Sequence, residues 1–334
     1  MSTATNDQNK PVCSMPVIAA GYLGPSLAPN QDVAWDEAGL PHSPDDLVQK
    51  MMGQPMRRAG RFIKLVCCGA LACLQNAPKE ALQDKKVGIF LATGLGNIDE
   101  ILPFITQVFK HDGGFPSPNQ FANSVSNAAA FFLARVCEVK GVVLTISQEE
   151  HSFESALWLA QSYLEAGDID LALVGGCDVF TPSVDDYRER MDLKPDNARL
   201  LPMGEGSSWL LMGRQGDAGI GRLDTVILNS HDVAPESLSC PLNVINQCES
   251  AVAFAQAAAE QKILLPGFRL ITSADPQFSS AGWDMDDYLP HCGISPTAAA
   301  YGIARALLAG RKANYVHYNY HPSGRQALVA VTKM

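Results

Sequence analysis

The chain has 334 residues, 47% of them hydrophobic, and a formal net charge of −10. That is enough for one large core or two fused halves, and the acidic balance excludes a nucleic-acid function, since nothing basic and extended is available to neutralise phosphates. Nine cysteines without a CxxC pair argue against a disulfide framework or a zinc site, and a reducing cytoplasm is the expected setting. The longest apolar run, Leu65 to Leu74, is too short to cross a bilayer, and the polar start MSTATNDQNK lacks a signal core. No membrane, metal or cofactor is therefore expected.

Residues Met1 to Pro55 are rich in Pro, Asp, Asn and Gly, with one expected strand at Val17–Ala20. Arg57 to Leu74 reads as a helix with a basic front of Arg57, Arg58, Arg61 and Lys64. Such a front is either the solvated end of a core helix or a docking patch for an acidic partner. Val87–Ala92 is an expected buried strand, followed by Thr93-Gly94-Leu95-Gly96-Asn97. No lysine or GxGxxG spacing accompanies that glycine loop, so it carries no nucleotide signature. After the turn-rich Phe115 to Asn119, Ser124 to Ala130 opens a helix of small residues that permits close approach of another helix or subunit.

The best organised stretch is Gly141 to Asp178. Val142–Ile146 is β-branched and apolar, as in a strand buried on both faces. Polar residues Ser147 to Ser152 then form a turn, and Ser147-x-x-Glu150 fits a capping box. Phe153, Ala156, Leu157, Ala160 and Leu164 recur at helical spacing, Gly167-Asp168 stops the helix, and Leu171–Val174 followed by Gly175-Gly176 is a second buried strand. Cys177 reads as small core filler. Further on come an irregular stretch with Tyr187, Arg188 and Arg190, and strands at Trp209–Met212 and Leu223–Leu228. An alanine-rich helix at Ala251–Gln261 and a strand at Phe268–Thr272 follow. A helix over Ala298–Leu308 is stopped by Gly310, and Val316–Tyr320 and Ala327–Val331 close the chain as an antiparallel pair. His317 and His321 read as polar strand-end residues. His291 and Cys292, adjacent in sequence, point in different directions and do not suggest a dyad.

The Gly141–Asp178 unit resembles the nucleophile elbow of β-ketoacyl synthases, members of the thiolase-fold superfamily. Gly167-Asp168-Ile169-Asp170 and Gly175-Gly176 match the family's landmarks, and Ser124 to Ala130 resembles its S-x-x-N-x-A-A segment. Pro195-Asp196, Arg199 and Gly204-Glu205-Gly206 resemble a shortened P-F-D…R…G-E-G signature. The resemblance implies an α/β, thiolase-like layered αβαβα fold of two pseudo-repeated halves, residues 1–212 and 213–334. Counting back from the landmarks, the family's active cysteine falls on Glu150. The strand Arg269–Thr272, followed by Ser273-Ala274-Asp275-Pro276, lacks the first family histidine. His291 is the best match to the second, with Asp286 and Asp287 upstream in place of lysine. Asn319 to Arg325 stands for a shortened gate loop. A condensing synthase needs a thiolate and two imidazoles, so the resemblance implies a non-condensing subunit of chain-length-factor type, as in type II polyketide or aryl-polyene systems. It would pair with an active β-ketoacyl synthase as a heterodimer and meet acyl carrier protein through the complex. Ser126, Asn127, Ala128, Ala129, Ile146 and Phe153 are the implied acyl-pocket and interface residues, and Arg57, Arg58, Arg61 and Lys64 the carrier-protein patch. The alternatives are a malonyl-carrier-protein decarboxylase and a homodimeric scaffold.

Overall fold

The computed structural model describes residues 14–110, 117–180, 202–229, 262–267, 283–320 and 325–334. The expected helix at Ala251–Gln261, the strand at Phe268–Thr272 with the turn after it, and Tyr187, Arg188, Arg190, Pro195, Asp196, Arg199 and His321 lie outside these residues.

The first half contributes β1 (Met15–Gly21), β2 (Val87–Ala92), β3 (Val143–Ile146), β4 (Leu171–Asp178) and β5 (Gly206–Gly213). The second contributes β6 (Gly221–Asn229), β7 (Lys262–Pro266), β8 (Trp283–Met285), β9 (Asn314–Tyr320) and β10 (Gln326–Lys333). All ten join in the order β3-β2-β4-β5-β1-β6-β10-β9-β7-β8. Adding five to each strand number of the first half, read from the far edge, reproduces the second. The senses repeat as well. β2 is parallel to β3 and β4, and β7 is parallel to β8 and β9. β5 runs antiparallel to β1 and β4, and β10 antiparallel to β6 and β9. The two halves meet where β1 pairs antiparallel with β6. The pseudo-repeat thus lies in the topology.

Eight helices are described: α1 (Asp45–Met52), α2 (Arg61–Leu74), α3 (Ile98–Lys110), α4 (Pro118–Ser124), α5 (Asn127–Val136), α6 (Ser152–Ala166), α7 (Leu289–Cys292) and α8 (Ala298–Leu308). None is long and apolar enough to cross a membrane. Strand alternation sorts the core into two. Phe90, Ala92, Ala172, Val174, Leu210 and Met212 face one cluster with α6, α8 and second-half strands. Ile89, Leu91, Leu171, Leu173, Trp209 and Leu211 face the other, with α1, α2 and α5. Helices α6 and α8 touch strands of both halves, so they form the layer between them. The expected apolar face of α6 is fully buried, and Gly167 closes the helix in the left-handed region at φ 77°.

Three expectations need correction. Helix α2 starts at Arg61, because Gly60 is its extended N-cap (φ −65°, ψ 170°), so Arg57 and Arg58 sit in the preceding turn. The small-residue segment is broken: α4 ends at Ser124, Val125 is extended, and α5 begins at Asn127. The strand expected to be buried on both faces is the edge strand β3, paired among the described residues to β2 alone and partly exposed. A short apolar run reads the same in a central strand and in an edge strand.

Candidate functional site

The site lies where β2 and β3 end and α6 begins. Ile146 carries the chain out of β3, its carbonyl accepting from Thr93 N–H (3.0 Å). A 3-10 turn at Glu149–His151 then intervenes and makes His151 the N-cap of α6. Ser152 closes this turn: its Oγ accepts from Gln148 N–H (2.8 Å) and faces the Glu149 carbonyl (2.6 Å). The capping box expected of Ser147 and Glu150 does not form, and no side chain caps α6. The inserted turn displaces both residues from the helix end. Glu150 itself is buried, and its carbonyl accepts from Asn319 Nδ2 (2.8 Å).

One helical turn further, Glu154 is fully buried. Its Oε1 lies 3.6 Å from His317 Nδ1, and His317 Nε2 lies 3.0 Å from Tyr288 Oη. Burial pushes the Glu154 carboxyl up to about 8, with the neighbouring Glu150 adding to the rise. Burial, aided by His151, pushes His317 down to about 3. Both groups are therefore neutral near pH 7, and the string is a chain of neutral polar groups. His317 is thus a core residue, not the polar strand-end residue expected, because period-2 alternation along β9 turns it and Asn319 inward. The signal in sequence is Glu154 three residues before Leu157, on the face of α6 that is buried.

The proton balance fixes a sign. The folded chain holds the Glu154 proton to about pH 8, whereas an unfolded one releases it near 4.5, so this group's contribution falls as pH rises through that window. His317 acts oppositely: the unfolded chain takes up a proton near 6.5 and the folded one only near 3, so stability falls as pH drops between them. Glu154→Gln should therefore leave stability near pH 4.5 almost unchanged and raise it by on the order of 2 kcal/mol at pH 8.5. Urea melts across pH measure this, and equal gains at both pH values would contradict it.

Behind the turn, Asp178 at the end of β4 fastens three segments together. Its carboxylate accepts from Thr93 Oγ1 (2.9 Å), Gly94 N–H (3.0 Å), Leu95 N–H (2.9 Å), Thr297 N–H (3.0 Å) and Thr297 Oγ1 (2.8 Å). Burial nevertheless pushes it up to about 6. The glycine loop after β2 is thus held by a carboxylate, which is no place for a phosphate. Gly94 lies so close to Pro296 and the Glu149 carbonyl that a β-carbon there has no room.

The other site residues are dispersed. Phe153 is buried in the inter-half core, and Ile146 packs against it half-buried. Ser126, Asn127 and Ala128 lie on the accessible start of α5, but Ala129 is fully buried against the α2 side of the sheet. His291 sits in α7 with its carbonyl against Gly24, while Pro296 lies against Gly94 of the loop after β2 and Thr297 N–H donates to Asp178. Cys292 Sγ faces the carbonyls of Tyr288 and Gly293, and burial raises its thiol. Of the basic front, Arg61 is paired with buried Glu205 and Lys64 with Asp45 (2.7 Å), which leaves Arg57 and Arg58 exposed. Cys177 is buried core, and Arg325, beyond the undescribed part of the gate segment, pairs with Glu149. Among the described residues no His, Cys, Asp and Glu cluster has the arrangement of a metal site.

Residues 31–195 match the model of the β-ketoacyl synthase N-terminal domain. A search of curated protein sequences found no match. Among solved structures, the ishigamide ketosynthase/chain length factor is 16% identical, covering 96% of this chain and 99% of its own with a TM-score of 0.75. A β-ketoacyl synthase from Burkholderia phymatum STM815 is 13% identical over 96% and 100%, TM-score 0.71. The complex of a type II polyketide synthase acyl-carrier protein with its hexaketide-bound ketosynthase, AntDE:AntF, contains a chain 12% identical over 97% and 100%, TM-score 0.69. Over residues 31–195, just under half of its length, the chain thus resembles the N-terminal domain of β-ketoacyl synthases. Its fold is the one shared by ketosynthases and ketosynthase/chain-length-factor proteins.

Proposed function

We propose that this chain is a non-condensing, chain-length-factor-type subunit that pairs with an active β-ketoacyl synthase, helps wall its acyl pocket and meets acyl carrier protein through the complex. The observation that carries the reading is the contrast between the elbow and the edge beside it. The turn offers buried Glu150, no nucleophile for thioester exchange. The neighbouring elements expose an apolar face: Phe109 on α3, Phe121 on α4, Phe131 on α5, Val143 on β3 and Trp158 on α6. An uncovered edge strand is a template for pairing with another chain, and these exposed large apolar side chains flank it. Ketosynthase/chain-length-factor and ketosynthase/carrier-protein assemblies among the similar folds support this choice of partner.

Co-expression with a Cys-His-His synthase from the same gene neighbourhood, followed by size exclusion and native mass measurement, tests the pairing. A stable heterodimer is expected, burying on the order of 2,000 Å² or more, and a monodisperse monomer would end the reading. A homodimer would favour the scaffold, and turnover of malonyl-carrier protein by the purified chain would favour a decarboxylase. Val143→Asp puts a charge on the open edge and should weaken pairing at least tenfold while the monomer stays folded. Ala129 is unsuitable for such a test: it lies inside the chain's own core, so a bulky charge there unfolds the subunit instead of splitting the dimer.

A further inference from the structure

At the opposite end of β2 from the Glu150 turn, about 20 Å away along six residues of strand, lies a cavity of about 320 Å³. It opens between the start of β2 and the turn that follows α5. Leu82 and Val139 contribute to an apolar floor, Lys85, Lys86 and Lys140 are exposed basic residues of the lining, and Glu138 is the one acid in it. The surplus of positive charge is local, in a chain whose net charge is −10.

These lysines are not engaged elsewhere. Among the described residues none forms an ion pair or a side-chain hydrogen bond, whereas Arg61, Lys64, Arg214, Arg222, Arg305 and Arg311 are all paired with carboxylates. Capping of helix carbonyls does not account for them either. Helices α2 and α5 end near the cavity, yet neither receives a lysine, whereas Lys333 Nζ does donate to the Leu308 carbonyl at the end of α8 (2.8 Å). A cleft that brings apolar lining residues together with a few charged groups has the form of a small-molecule site. A cationic rim selects an anion, and the floor selects an apolar tail.

We propose that this cavity binds a small amphipathic anion, a carboxylate carrying an alkyl chain, with the chain on Leu82 and Val139 and the head among Lys85, Lys86 and Lys140. The site is separate from the elbow. It borders the edge strand, because Lys140 and Gly141 lead directly into β3. An occupant would therefore lie beside the exposed edge and far from the chemistry-bearing turn.

Titration calorimetry of the full chain with octanoate tests this, using 1-octanol as the tail without the charge and inorganic phosphate as the charge without the tail. Octanoate should bind saturably at one site, with both controls at least tenfold weaker. The triple variant Lys85→Gln, Lys86→Gln, Lys140→Gln changes exposed side chains only, so its melting curve should match that of the parent, and octanoate affinity should fall at least tenfold. Leu82→Trp, which fills the floor, should also abolish octanoate binding. No saturable binding by the parent chain, or equal octanoate affinity in the folded triple variant, would overturn the proposal.

Discussion

Replacing Asp178 by alanine is expected to cost on the order of 4 kcal/mol of folding stability, the largest effect of any single side chain near the turn. The carboxylate takes five hydrogen bonds from Thr93, Gly94, Leu95 and Thr297. Alanine leaves those donors facing a void, and each unsatisfied buried group costs about 1–3 kcal/mol, with partial relaxation reducing the sum. Asp178→Asn should be intermediate, because its amide keeps one acceptor but turns an NH2 toward donors. Denaturant titration measures both. A loss below about 1 kcal/mol for alanine would mean that the loop after β2 and the start of α8 are held by packing alone.

The second large effect is expected at Arg61. Its guanidinium makes a two-pronged pair with Glu205, whose side chain is 0% exposed and also accepts from Phe180 N–H (3.0 Å). Arg61→Ala strands a buried carboxylate, a class of change that costs about 3–5 kcal/mol. The exposure of Arg61 itself, 13%, puts the expectation at the lower end. Combining it with Glu205→Gln should recover more than half of the loss, since the neutral amide still accepts from Phe180. Failure of the double variant to recover stability would show that Arg61 acts through packing. In the folded chain Arg61 is paired with Glu205, so of the basic front it is Arg57 and Arg58 that stay exposed.

The legible parts of the fold were those written in local periodicity. The limits of β2 and α8 follow from apolar runs bounded by glycine or charge, and the α6 face follows from 3.6-residue spacing. What could not be read depends on neighbours. Val142–Ile146 is apolar whether a strand flanks it on one side or both, so its place at the edge emerges only from the sheet order. Arg61 and Lys64 look alike at the front of a helix, but residues 144 positions away decide that Arg61 turns inward. The site divides the same way. Glu150 was found by its distance from glycine landmarks. The Glu154–His317–Tyr288 string joins three segments that share no motif, and a lone histidine in a strand gives no hint of the burial that keeps it neutral. That Thr297 reaches Asp178, 119 positions away, is likewise written in no motif.

The central position of β1 has a consequence for how the chain is made. Of the ten strands described this one is synthesised first, yet its two neighbours are β5 and β6, which begin at Gly206 and Gly221. At a synthesis rate of roughly 5–20 residues per second, β1 waits on the order of 10–40 s before either partner exists. During that interval its buried sequence, MPVIAAG, is an unpaired apolar segment in the nascent chain. Contacts of such long sequence separation also form slowly once both partners are available. The join between the two halves therefore stays open until β6 has been made, and during that interval the chain is open to aggregation or to a protective binding partner.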